Sequence, residues 1–116
     1  MEKRRNLIQF RDASGTGYDF HTYELAARFL LPGKAGIYCF SKFSNNMYIP
    51  LYFGETNDFS RRMKEHEDPS EGKMSCVREH GGTHVHILLG LDDQDSRRRI
   101  EASLIHQYTP VCNEQV

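Results

Sequence analysis

Three groups of side chains in this sequence have types and spacings that suit chemistry on a phosphate ester. Tyr38 closes the run Gly36-Ile37-Tyr38, and Tyr52 opens the run Tyr52-Phe53-Gly54. Arg62 and His66 stand four residues apart, which puts both on one face of any helix that carries them. Glu101 comes much later, ahead of Leu104-Ile105 and Pro110-Val111-Cys112-Asn113. A phosphodiester resists attack because its anionic oxygens repel nucleophiles and gain charge in the transition state. Hydrolysis therefore needs an activated water, a cation against the phosphate and help for the departing oxygen. Arg62 is permanently cationic and can fork onto phosphate oxygens, and a carboxylate such as Glu101 can hold a hard cation such as Mg²⁺ or Mn²⁺. Each residue also has a plainer use. The tyrosines suit a half-buried sheet, Arg62 and His66 an exposed helix face, and Glu101 a pair with Arg97 or Arg98.

Local signals predict the elements that must position these groups. Gly36 to Phe43 is rich in aromatic and β-branched residues and reads as a strand, Ser44-Asn45-Asn46 as a turn, and Tyr48 to Phe53 as the returning strand of a hairpin. Pro50 inside that second run points to an edge position or a bulge. Thr56-Asn57-Asp58 offers capping oxygens for a helix from Phe59 to about Glu67. A short helix follows from Ser75 to Glu79, then a third strand from Thr83 to Leu89. The acidic run Asp92-Asp93-Gln94-Asp95 starts a long helix that ends near Tyr108, before Pro110. Upstream, Tyr23 to Leu31 reads as a short helix, and residues 1–16 as a polar arm ending in a turn. The expected fold class is α+β: a small three-stranded antiparallel sheet flanked by helices, formed by a domain over residues 17–116.

In order and spacing, this set resembles the GIY-YIG endonuclease family. The two tripeptides, then Thr56, Asp58, Phe59, Arg62 and His66, and finally Glu101, Leu104-Ile105, Pro110 and Asn113 match its pattern over roughly residues 35 to 114. Phe53 stands where Ile or Val is commoner. The resemblance implies an enzyme that hydrolyses DNA phosphodiester bonds with one divalent ion on Glu101. It nominates Tyr38 as the base toward water with Tyr52 in support, His66 as a hydrogen-bonding or relay group, and Asn113 as an orienting residue. A phenol with pKa near 10 is a poor base, so a metal or cationic neighbour must favour its phenolate. A single catalytic domain without an appended DNA-binding module is expected. The alternative is a nucleic-acid- or protein-binding module that keeps the fold without turnover.

The remaining composition sets limits. Fifteen basic and sixteen acidic residues give a net charge of -1, low for a binder that depends on long-range attraction to a duplex. Homodimerisation or a tethering partner is therefore expected to supply affinity. Positive charge is bunched at Lys3-Arg4-Arg5, at Arg61-Arg62 with Lys64, and at Arg97-Arg98-Arg99. Of these, Arg61, Lys64, Arg97 and Arg98 are candidate nucleic-acid contacts. Cys39, Cys76 and Cys112 form an odd set without metal-type spacing, which argues against a disulfide framework, and Cys39 reads as a core residue. His84 and His86 share a strand face and offer a weaker zinc reading. No apolar run approaches the roughly 20 residues that span a bilayer, so a cytoplasmic protein is expected.

Overall fold

The hairpin sets the rest of the architecture. Asn45 and Asn46 both take left-handed backbone angles, φ 53° and 63°, as a two-residue hairpin turn demands and asparagine tolerates. They join β3 (Gly36–Ser44) to β4 (Met47–Thr56). Residues opposite each other alternate in register until Leu51, which is left over between the pairs Phe40↔Tyr52 and Ser41↔Pro50. Leu51 is thus a bulge beside the proline, and β4 lies at the edge of the sheet, as Pro50 suggests.

The computed structural model, which describes residues 6–113, contains five strands rather than three. β1 (Leu7–Arg11) and β2 (Gly17–Glu24) pair with each other, β2 pairs with β5 (His84–Leu89), and the order is β1-β2-β5-β3-β4, antiparallel throughout. Two expectations are corrected here. Residues 7–11 belong to the sheet instead of a polar arm, because Ile8 and Phe10 alternate inward between the outward-facing Leu7, Gln9 and Arg11. Tyr23 pairs with Val85 inside β2, and only Leu25–Leu30 is helical, as a 3₁₀ segment. The Lys3-Arg4-Arg5 run lies outside the described residues.

Flat strands about 4.8 Å apart would hold β1 roughly 19 Å from β4. Instead the rings of Phe10 on β1 and Phe53 on β4 approach to 5.6 Å between centroids. The sheet therefore curls, and its concave face encloses Phe10, Phe20, Ile37, Cys39 and Phe53. Helix α3 (Gln94–Tyr108) closes this face with Leu104, Ile100, Ile105 and Tyr108. Its N-cap is Asp93, whose carboxylate accepts from the Ser96 N–H at 3.0 Å. The convex face carries Tyr38, Phe40, Val85 and Ile87, covered by α1 (Phe59–Glu65) and α2 (Lys73–Glu79) through Phe59, Met63, Met74 and Val77.

A disulfide joins Cys76 on α2 to Cys112 beyond α3, with their Cα atoms 5.9 Å apart. This corrects the reading against a disulfide. The spatial approach that permits such a bond joins positions 36 residues apart, and spacing along the chain carries no sign of it. Cys39 is buried and free, as expected.

Candidate active site at the edge of the sheet

Both motif glycines are explained by close approach. Tyr38 faces Gly54 across the hairpin, and a Cβ at Gly54 would drive into the Tyr38 ring and hydroxyl. A Cβ at Gly36 would meet the Leu88 carbonyl and the ring of Phe59, the first residue of α1. The glycines thus let a phenol lie flat on β4 and a helix dock against β3. Helix α1 is fixed at its start by Asp58, whose side chain accepts from the Arg61 N–H at 3.0 Å. Its buried residues Phe59 and Met63 face the core. This orientation leaves Arg62 and His66 over the hairpin phenols.

The resulting network is continuous. The Tyr38 hydroxyl lies 2.7 Å from His66 Nε2, and His66 Nδ1 lies 3.0 Å from Glu71 Oε1. Arg62 Nη2 donates to Glu71 Oε2 at 3.0 Å, and Arg62 Nη1 to Glu65 at 3.2 Å. Tyr38 and His66 are sealed, with 1% and 2% of their surface exposed, whereas Tyr52 is only half-buried. Burial, then the neighbouring Tyr52, pushes the Tyr38 phenol well above its usual range, and Arg62 only partly opposes this. Tyr52 is likewise raised by burial, with Arg62 opposing and Glu101 and Glu71 adding to the shift. At both phenols desolvation outweighs the guanidinium and favours the neutral form. Burial works against the charge on Arg62, but Tyr38, Glu71 and Tyr52 hold it protonated. Burial also lowers His66, against the pull of its bond to Glu71.

Glu101 comes from the other face of the sheet. It lies on α3, and its charge acts on Tyr52 of β4. Burial and the nearby Glu55 raise its carboxyl to about 7, opposed by Arg98. Among the described residues it has no ion-pair partner within 4.0 Å. Two acids crowded together with one of them unpaired are a site short of positive charge, and that deficit fits a divalent cation held by Glu101 and waters.

Other candidates take different places. Asn113 is committed to the main chain of β4: its Oδ1 accepts from the Phe53 N–H at 2.8 Å and its Nδ2 donates to the Phe53 carbonyl at 2.9 Å. It orients the strand next to Tyr52 instead of reaching into the cleft. Arg97 is corrected from a nucleic-acid contact to a structural residue. It is 4% exposed, and its guanidinium donates to Glu55 at 2.8 Å and to the carbonyls of Leu91 and Asp92. Arg61, Lys64 and Arg98 are exposed. Arg61 and Arg62 line a cleft of about 260 Å³ between α1 and the start of α3, with Glu55 and Glu65.

His84 and His86 do share a face, with rings 6.5 Å apart. His86 has both nitrogens bonded, Nδ1 to Thr22 Oγ1 at 2.9 Å and Nε2 to Ser41 Oγ at 2.7 Å, which removes it from the zinc reading. Cys76, His80 and Cys112 bring donor atoms within 4.8 Å of one another, but the sulfurs are spent on each other. Two polar residues of the site were missed in the sequence. Glu71 lies in a polar stretch that reads as a solvated loop, and the Lys73 ammonium sits 5.5 Å above the Tyr52 ring. No periodic signal marks either one.

Comparison with known proteins gives the family and the fold. Residues 34–115 match the model of the GIY-YIG catalytic domain. The UvrABC system protein C of Fervidobacterium nodosum is 29% identical over 83 residues, covering 72% of this chain and 14% of that protein. The crystal structure of the GIY-YIG N-terminal endonuclease domain of UvrC from Thermotoga maritima, bound to magnesium as its catalytic divalent cation, shares the fold. It has a TM-score of 0.61 and 24% identity over 76% of this chain and 92% of that one. A tyrosine-to-phenylalanine mutant of the same domain, bound to its catalytic divalent cation, gives 0.62 and 23% over 78% and 93%. The chain belongs to the GIY-YIG catalytic domain family. Among the described residues, no helix is long and apolar enough to cross a membrane.

Proposed function

We propose that this domain hydrolyses DNA phosphodiester bonds with a single divalent cation held by Glu101. The observation that carries the reading is convergence. Tyr38, His66 and Arg62 from the convex face meet Tyr52 at the β4 edge, where the unpaired Glu101 arrives from the concave face. Mg²⁺ or Mn²⁺ bound there supplies Lewis-acid charge against the phosphate and the leaving oxygen. Arg62 has five N–H donors, and its two ion pairs leave others for a phosphate oxygen. The neutral Tyr38 acts as a carrier instead of a phenolate base. It takes a proton from the attacking water while its own passes to His66 Nε2, so the phenol never has to ionise in a buried place. Tyr52, the more open phenol, positions water and phosphate. Arg61, Lys64 and Arg98 flank the cleft as backbone contacts.

With a net charge of -1, DNA affinity is expected to come from a second copy or a tethering partner. A plasmid-nicking assay tests the reading. Nicking with Mg²⁺ or Mn²⁺ is expected to disappear with EDTA and in Glu101→Ala. Full nicking by Glu101→Ala would remove the metal role, and no nicking by the wild type under any divalent ion would favour a binding module that has kept the fold.

A further inference from the structure

Glu71 stands behind His66, at the ring nitrogen remote from Tyr38. Its Oε1 accepts from the Lys73 main-chain N–H at 3.0 Å and sits 3.0 Å from His66 Nδ1, while its Oε2 accepts from Arg62 at 3.0 Å. The carboxylate lies in the 3₁₀ segment Pro69–Glu71, which Asp68 caps at its start through the Ser70 N–H. It is therefore held from three sides before any substrate arrives. Hydrogen bonds from His66 and the Lys73 N–H keep Glu71 ionised in spite of burial. An ionised carboxylate only accepts, so the ring proton on that side must be on Nδ1. A neutral imidazole then carries its lone pair on Nε2, facing the Tyr38 hydroxyl at 2.7 Å.

We propose that Glu71 is the positioning residue that fixes His66 in its Nδ1–H form and thereby gives Tyr38 somewhere to send its proton. This rests on the endonuclease reading above. The protons balance. As the water oxygen bonds to phosphorus, its proton goes to the Tyr38 oxygen and the Tyr38 proton goes to Nε2. The imidazolium so formed carries one positive charge, which the Glu71 carboxylate offsets across Nδ1. The bond from phosphorus to the leaving oxygen breaks, that oxygen takes a proton from solvent water, and the imidazolium proton returns through Tyr38 to solvent. The charged and titratable groups facing His66 are Arg62 and Glu65 from α1, Tyr38 from β3, Tyr52 from β4 and Glu71 itself. Of these, Arg62 opposes the imidazolium, and Glu71 and Glu65 favour it. With the opposite tautomer, Nε2–H would point a donor at the phenol and the path would close.

Nitrogen-15 NMR of the His66 ring in the full chain reads the tautomer directly. The wild type is expected to carry its proton on Nδ1. Glu71→Gln is expected to shift the ring toward Nε2–H and to lower kcat for plasmid nicking about 10- to 100-fold at unchanged KM. Glu71→Asp keeps the charge and is expected to keep the Nδ1–H form and most of the rate. In a His66→Ala background, Glu71→Gln should change kcat by no more than about twofold. A wild-type ring protonated on Nε2 overturns the inference even if no variant folds. So does a tautomer that ignores Glu71→Gln, or a full further loss of rate in the His66→Ala background. Wild-type protein that cuts no DNA overturns the endonuclease reading alone, because the ring measurement needs no turnover.

Discussion

Two imidazoles are sealed inside this molecule, one on each face of the sheet, and their partners differ in charge. On the concave face His86 is bracketed by the hydroxyls of Thr22 and Ser41 and packed edge-on against Phe10 and Tyr48. On the convex face His66 is bracketed by a phenol and a carboxylate, with Arg62 beside them. Hydroxyls satisfy either tautomer and stabilise neither charge state. Burial and the nearby His84 accordingly push His86 down to about 3, which leaves it neutral at any working pH. His66 is also lowered by burial, but Glu71 acts in the opposite direction. A buried imidazole is a packing element when its neighbours are neutral, and it becomes able to carry a proton when one neighbour is an anion.

Substitutions break this comparison in graded ways. The largest losses are expected on the convex side and its edge. Arg62→Ala and Glu101→Ala should each lower the nicking rate by about 10³-fold, with unchanged far-UV circular dichroism. His66→Ala should lower it by about 10²-fold, in line with loss of one acid–base group. His86→Ala is expected to leave the rate per folded molecule unchanged and to cost about 2–3 kcal/mol of stability in urea titrations, because it strands two buried hydroxyls. Loss of turnover in His86→Ala without loss of stability would erase the distinction.

The two faces also separate by pH. His86 has a folded pKa of about 3 against 6.5 for the free group. Its contribution is full above pH 6.5 and is lost as pH falls toward 3, at about 1.4 kcal/mol per unit. The stability difference between wild type and His86→Leu should therefore shrink steadily from pH 6.5 downward. Glu101 runs the other way, since its pKa of about 7 lies above the free value of 4.5. Its neutral form favours folding below pH 4.5, and that benefit is lost as pH rises through 7. The same proton competes with a cation. Calorimetric Mg²⁺ affinity should fall about tenfold per unit below pH 7 and level off above it, the smallest of these effects at neutral pH. A flat pH response would detach Glu101 from the metal.

Local rules made part of this legible. The asparagine turn, the proline in the second hairpin strand, the capping oxygens ahead of α1 and the acidic start of α3 are all short-range signals, and each element they predict is present. Arg62 and His66 could be placed together because their separation is one helical turn. What escaped depends on distant partners. β1 is too short, with two inward residues and an outward leucine, to show a clear alternation, and β2 acquires its identity only by pairing with β5. Arg97 reads as a surface charge until α3 turns it onto Glu55. Glu71 and the Cys76–Cys112 bond are contacts of the folded chain that no spacing announces.

The segment after α3 lies along the free side of β4. The Cys112 N–H donates to the Leu51 carbonyl at 2.9 Å, and the Asn113 amide occupies both main-chain groups of Phe53. Those rungs offer no template on which a foreign strand could zip up. At Leu51 and Phe53, beside Tyr52, a molecule arriving at this border meets side chains and shape in place of open main-chain groups.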